Sequence, residues 1–131
     1  MNLFKELYES LTAINEGTPA TIAVLQKDGK VKMSFLQYDG SPAVAGKELI
    51  DNFNSEVYAN ELVQQSGELR GFWDGHVDYY TDRKLLKTFN TEDKYKTKGQ
   101  DAFYTVHNYF WDGKDWYYTR KISNKNDWKK L

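Results

Sequence analysis

The order of hydrophobic patterns along the chain predicts an α+β domain. In it, N-terminal helices pack on a strongly curved, mostly antiparallel sheet, a cone-like arrangement. Three observations predict it. Apolar residues recur at three- and four-residue steps near the N-terminus, aromatic and β-branched residues take over past residue 65, and Asp-Gly dipeptides punctuate that second part. A chain of 131 residues is one domain's worth, residues 1–131, and can bury roughly two-thirds of its unfolded surface.

Leu3, Phe4, Leu7, Tyr8, Leu11 and Ile14 line one face of a first helix, which Gly17 ends. Thr18-Pro19 follows as a helix-start signal, a capping oxygen and then a residue whose missing N–H costs nothing there. It predicts a short second helix from Pro19 to about Gln26, burying Ile22, Ala23 and Leu25. The competing reading is a strand over Thr21–Leu25, closed into a hairpin by Asp28-Gly29. Val31–Leu36 alternates as a strand does. Gly46 then opens a third helix with Leu49, Ile50, Phe53 and Val57 on one face.

An internal repeat follows. Phe72-Trp73-Asp74-Gly75 with the Tyr79-Tyr80-Thr81 behind it reappears 38 residues later as Phe110-Trp111-Asp112-Gly113 and Tyr117-Tyr118-Thr119. Asp-Gly between aromatic runs signals a hairpin, since both residues tolerate positive φ. Two copies are too few for a repeat array, so they read as two hairpins of one sheet sharing one turn geometry. Thr81–Gln100 is charged enough to be an edge hairpin or a loop, and the polar tail 123–131 is expected to fray.

Composition excludes several chemistries. With no cysteine there are no disulfides, thiolate nucleophiles or Cys-bound zinc. His76 and His107, the only histidines, are too few and too far apart to suggest a metal site by spacing. No phosphate loop, dinucleotide fingerprint or nucleophile elbow is present, and no cofactor is implied. A formal charge of -1 gives no general signal for nucleic acid or an anionic membrane. No long apolar run exists and the first residues are charged, so a cytoplasmic protein is the expectation. Charge is uneven all the same, with 6 basic and 13 acidic residues in 1–82 against 12 and 6 in 83–131. Either the basic half meets an anionic partner, or the two halves neutralise each other in one sheet.

The 21 aromatic residues leave three readings open: base stacking on an exposed sheet, the lining of an apolar cavity, or core filling. Alternation places His107, Tyr109 and Trp111 on one strand face and Asn108 and Phe110 on the other. Imidazole titrates near neutral pH, which makes His107 the acid–base candidate; the alternative is a hydrogen-bonded structural histidine. His76, beside a tight turn, reads as exposed.

Three stretches carry a family resemblance: Leu7 to Leu25 (LYESLTAINEGTPATIAVL), Pro42 to Phe53 (PAVAGKELIDNF) and Phe103 to Ser123 (FYTVHNYFWDGKDWYYTRKIS). They resemble the first two helices, the third helix and the last hairpin of the nuclear-transport-factor-2-like superfamily, which includes SnoaL-like proteins and ketosteroid isomerases. The resemblance implies a cone with a pocket at its wide end and a homodimer formed through the sheet. In isomerase-like members a first-helix tyrosine and an acid after the first strand do the chemistry. Here those places fall on Ser10, with Tyr8 nearby, and on Gln37, with Asp39 two residues later.

The expectation is therefore a small-ligand-binding protein, with a partly apolar or aromatic ligand lined by Phe35, Phe53, Trp73 and Tyr109. Any isomerase- or lyase-type chemistry falls to His107 or Asp39 as base and Tyr8 as hydrogen-bond donor. The alternative is a non-enzymatic module that holds a protein or a single-stranded nucleic acid through its aromatic, basic C-terminal half. A structural homodimer with a collapsed pocket is a third reading.

Overall fold

The computed structural model describes residues 18–64, 67–81, 84–99, 105, 107–120 and 127–131. The first helix, with Tyr8, lies outside them, as do 101–104. The described residues form an α+β fold around one open sheet of eight strands.

Residues 20–25 are strand β1 (Ala20–Leu25), and so correct the second helix that Thr18-Pro19 predicts. The physical reason is position in the sheet. β1 pairs antiparallel with β2 (Val31–Leu36) on one side and parallel with β6 (His107–Trp111) on the other. Ladders run along both of its sides, and β-branched Thr21, Ile22 and Val24 suit that central place better than a helix turn. Gly29, at φ +87°, completes the Asp28-Gly29 hairpin.

Helical backbone begins earlier than Gly46, with a π-helical turn over Pro42–Gly46 that runs into α1 (Lys47–Asn52). The helix breaks at Phe53, and α2 (Glu56–Glu61) starts afresh, its Ser55 hydroxyl accepting from the Tyr58 N–H. Leu49 and Phe53 are buried as expected, but Ile50 points off that face within α1, and Val57 is exposed because the break ends the shared face.

β3 (Glu68–Trp73) and β4 (His76–Tyr79) form the first aromatic hairpin, and β6 and β7 (Trp116–Thr119) the second. Their turns differ. Trp73 pairs directly with His76, so Asp74 (φ +47°) and Gly75 (φ +80°) form a two-residue turn. Trp111 pairs with Trp116 across four residues, where the Asp112 Oδ1 accepts from the N–H groups of Lys114 and Asp115. One shared turn geometry is thus corrected to two.

The described part of the charged stretch, 81 and 84–99, is neither wholly loop nor an edge hairpin. It supplies a short strand β5 (Lys87–Phe89) on β2 and a helix α3 (Glu92–Lys98). Of the tail, 123–126 lie outside the described residues, and 127–131 depart from expectation: β8 (Lys129–Lys130) pairs with β7, and Leu131 packs on the core. Trp128 packs tilted against Tyr95 and edge-on to Phe110, which ties the end of the chain to the core.

The strand order is β4-β3-β2-β1-β6-β7-β8, with β5 beside β2. Both faces of the sheet are covered. Ile22, Leu36, Leu69, Tyr109 and Trp116 meet Leu49, Phe53 and Leu62 on one face. Ala23, Met33 and Phe110 meet Tyr95 of α3 on the other. No helix among the described residues is long and apolar enough to cross a membrane.

Candidate functional site

Beyond β2 the chain crosses to the π-helical turn through Gln37–Ser41, and this crossing lies against β3. The N–H groups of Gln37 and Tyr38 donate to the carbonyls of Leu69 and Arg70. Asp39 then adopts φ +65°, a left-handed conformation that Asp tolerates better than most residues. Gly40 pins the turn. Its N–H donates to the Thr18 carbonyl and its own carbonyl accepts from the Tyr109 hydroxyl at 2.8 Å. A Cβ on Gly40 would stand 2.2 Å from the Thr18 oxygen, so only glycine fits.

Between this crossing and the β3–β4 hairpin lies an open groove of about 710 Å³. The crossing contributes Tyr38, Asp39 and Ser41, the π-helical turn contributes Val44, and Thr18 comes from just before β1. The hairpin contributes Arg70, Gly71, Phe72, Trp73 and Asp78. The ladder shifts register between Leu69 and Gly71, so Arg70 is the bulged residue and bends the strand at the groove.

Gly71 leaves room for Asp39. A Cβ there would meet the Asp39 Oδ2 at 2.7 Å, so the carboxylate occupies the space a side chain would take. Gly71 is also the direct cross-strand partner of Asp78. Trp73 lies two residues further along β3, on the same face, and is 75 % exposed. Phe72 points the other way, into the helix-covered core against Phe53, with ring centroids 5.7 Å apart.

Of the residues singled out in the sequence, Asp39 and Trp73 come together in this groove. The others lie elsewhere. Tyr109 is fully buried, with its hydroxyl pushed well above its ordinary range by burial, and reaches the groove only by fixing Gly40. Phe53 is core, its carbonyl accepting from the Trp116 indole at 3.0 Å. Phe35 is half-buried on the β2 face that carries Val31 and Met33. His107 is half-buried beside Tyr118, with Nδ1 and the hydroxyl 2.8 Å apart. Burial first, and the Arg120 charge second, lower its pKa and favour neutral imidazole. Gln37 is engaged through its Oε1 by the Tyr80 hydroxyl.

Sequence reading passes over Arg70, Gly71 and Asp78. The available signal was Gly71, since an isolated glycine in a strand marks a bulge or a close backbone approach. Among the described residues no three His, Cys, Asp or Glu side chains are grouped as a metal ion would need. The groove offers two carboxylates, one guanidinium, hydroxyls and an indole face, which suits binding more than proton transfer.

Compared with family models, with curated proteins and with solved structures, the chain matches none.

Proposed function

We propose that this chain is a small-ligand-binding protein whose site is the groove between the Gln37–Ser41 crossing and the β3–β4 hairpin. One observation carries the reading: Trp73 stands 75 % exposed at the wall of a groove of about 710 Å³, within the size range of ligand pockets. A large apolar ring left in water loses the stabilisation its burial would bring, about 1.5–3 kcal/mol for a large apolar side chain, unless a bound molecule covers it. The strained Asp39 turn supports the same reading, because left-handed backbone at a non-glycine residue tends to cluster at binding sites.

The cone-like wrapping and the superfamily resemblance belong to this proposal. Their support is that α1 and α2 lie across one face of the sheet while the groove opens beside it. The homodimer formed through the sheet, which the resemblance implies, belongs here too.

The experiment is a small-molecule screen by native mass spectrometry, which also reads subunit count, on wild type, Trp73→Ala and Gly71→Leu. Trp73→Ala removes an exposed ring and leaves the core intact; Gly71→Leu puts a side chain where the Asp39 carboxylate lies and displaces it into the groove. Adducts retained by wild type and lost in both variants are the expected result. Adducts retained equally by all three proteins would overturn the reading.

A further inference from the structure

The chemistry of the groove narrows its occupant, and this inference rests on the binding reading above. In an antiparallel pair, directly opposed residues hold their Cβ atoms about 4.5–5.5 Å apart, on the same face. Asp78 is opposed to Gly71, and the Asp39 Oδ2 sits 2.7 Å from where the Gly71 Cβ would be. Two carboxylates from distant parts of the chain therefore converge over one bare glycine. Such like charges repel, and among the described residues neither enters an ion pair with a protein cation.

Trp73 supplies the second half of the argument independently. It shares the outward face with Asp78, and its ring is exposed rather than packed. Indole is the best aromatic partner for a cation, and an ammonium ion over its face gains more when partly desolvated, as in a groove. Arg70 brings one positive charge to the same groove, leaving two carboxylates against one guanidinium. The charge left to be met is a single positive one.

We propose that the groove binds an alkylammonium ion, its charge shared by Asp39 and Asp78 and its alkyl surface laid on Trp73. The missing side chain at Gly71 lets the Asp39 carboxylate reach the groove, and the bulge at Arg70 bends the strand there. Asp39 comes from the crossing and Asp78 from the hairpin, so the ion would also tie these two segments together.

The test uses choline as the probe and its neutral isostere 3,3-dimethyl-1-butanol as the comparison. Both are titrated into the full chain at constant ionic strength while the Trp73 indole and Gly71 amide are followed by NMR. Saturable shifts with choline, and binding of the isostere at least tenfold weaker, are expected. The Asp39→Asn, Asp78→Asn double variant, which keeps shape at two exposed positions, should weaken choline at least tenfold and leave the isostere unchanged. Equal binding of the two probes would overturn the cation while leaving the groove as a binding site. No shift with choline up to tens of millimolar would also overturn it, and the native mass spectrometry result then decides the groove separately.

Discussion

Asp39 shows how one residue's conformation becomes a site. Its positive φ carries the carboxylate over Gly71, and the buried Tyr109 hydroxyl holds the following carbonyl in place. Tyr109→Phe removes that donor and leaves the buried Gly40 carbonyl unsatisfied, at a cost of about 1–3 kcal/mol. Urea unfolding should show that loss, and ligand affinity should fall with it, because the Asp39 turn loosens. His107 makes a different prediction. Its pKa is lowered in the folded state, so the unfolded chain takes up a proton first as pH falls. The stability from neutral His107 is complete above its ordinary value near 6.5 and drains away as pH drops through the lowered value. His107→Gln should therefore narrow the difference in urea midpoint between pH 7 and pH 5. An unchanged difference would mean that His107 has no part in the pH response.

At the scale of elements, the turns and caps follow local chemistry closely. Gly75 closes the β3–β4 hairpin at φ +80°, and Gly75→Ala should lower stability by about 1 kcal/mol, read as a shift in thermal midpoint. Ser55 caps α2, and Ser55→Ala should cost about 1 kcal/mol in the same assay. Strand β2, both Asp-Gly hairpins and the alternation of His107 to Trp111 were legible for this reason, since each depends on neighbours in sequence. β1 was not, because Thr18-Pro19 is a true local helix signal overruled by pairing to β2 and β6. α3 was also hidden. Seven residues with only Tyr95 buried show no periodicity, although Thr91, whose hydroxyl accepts from the Lys94 N–H, marks its start. The tail escaped for a third reason: Trp128 is held by Tyr95 and Phe110, which are remote in sequence. Trp128→Ala should cost about 2 kcal/mol, read as a fall in urea midpoint, because it removes a half-buried ring packed on both.

Across the whole molecule, the sheet is the frame and the groove is its consequence. β2 carries the crossing, β3 carries the bulge, and their parallel contact at Phe35–Leu36 brings Asp39 against Gly71. No window of sequence contains that contact, so Asp39 and Trp73 could be chosen singly but not as neighbours. One pair of counterparts in the two aromatic hairpins also parts company here: Trp73 is 75 % exposed, whereas Trp111 is 2 % exposed in the core. Trp73 therefore reports from a different place than Trp111 and Trp116, which pair with each other in the core. The most direct test of the groove is the indole N–H spectrum of the full chain during titration with a bound small molecule from the screen. The account predicts that the Trp73 resonance moves saturably while those of Trp111 and Trp116 stay fixed; movement of the core indoles with Trp73 unchanged would contradict it.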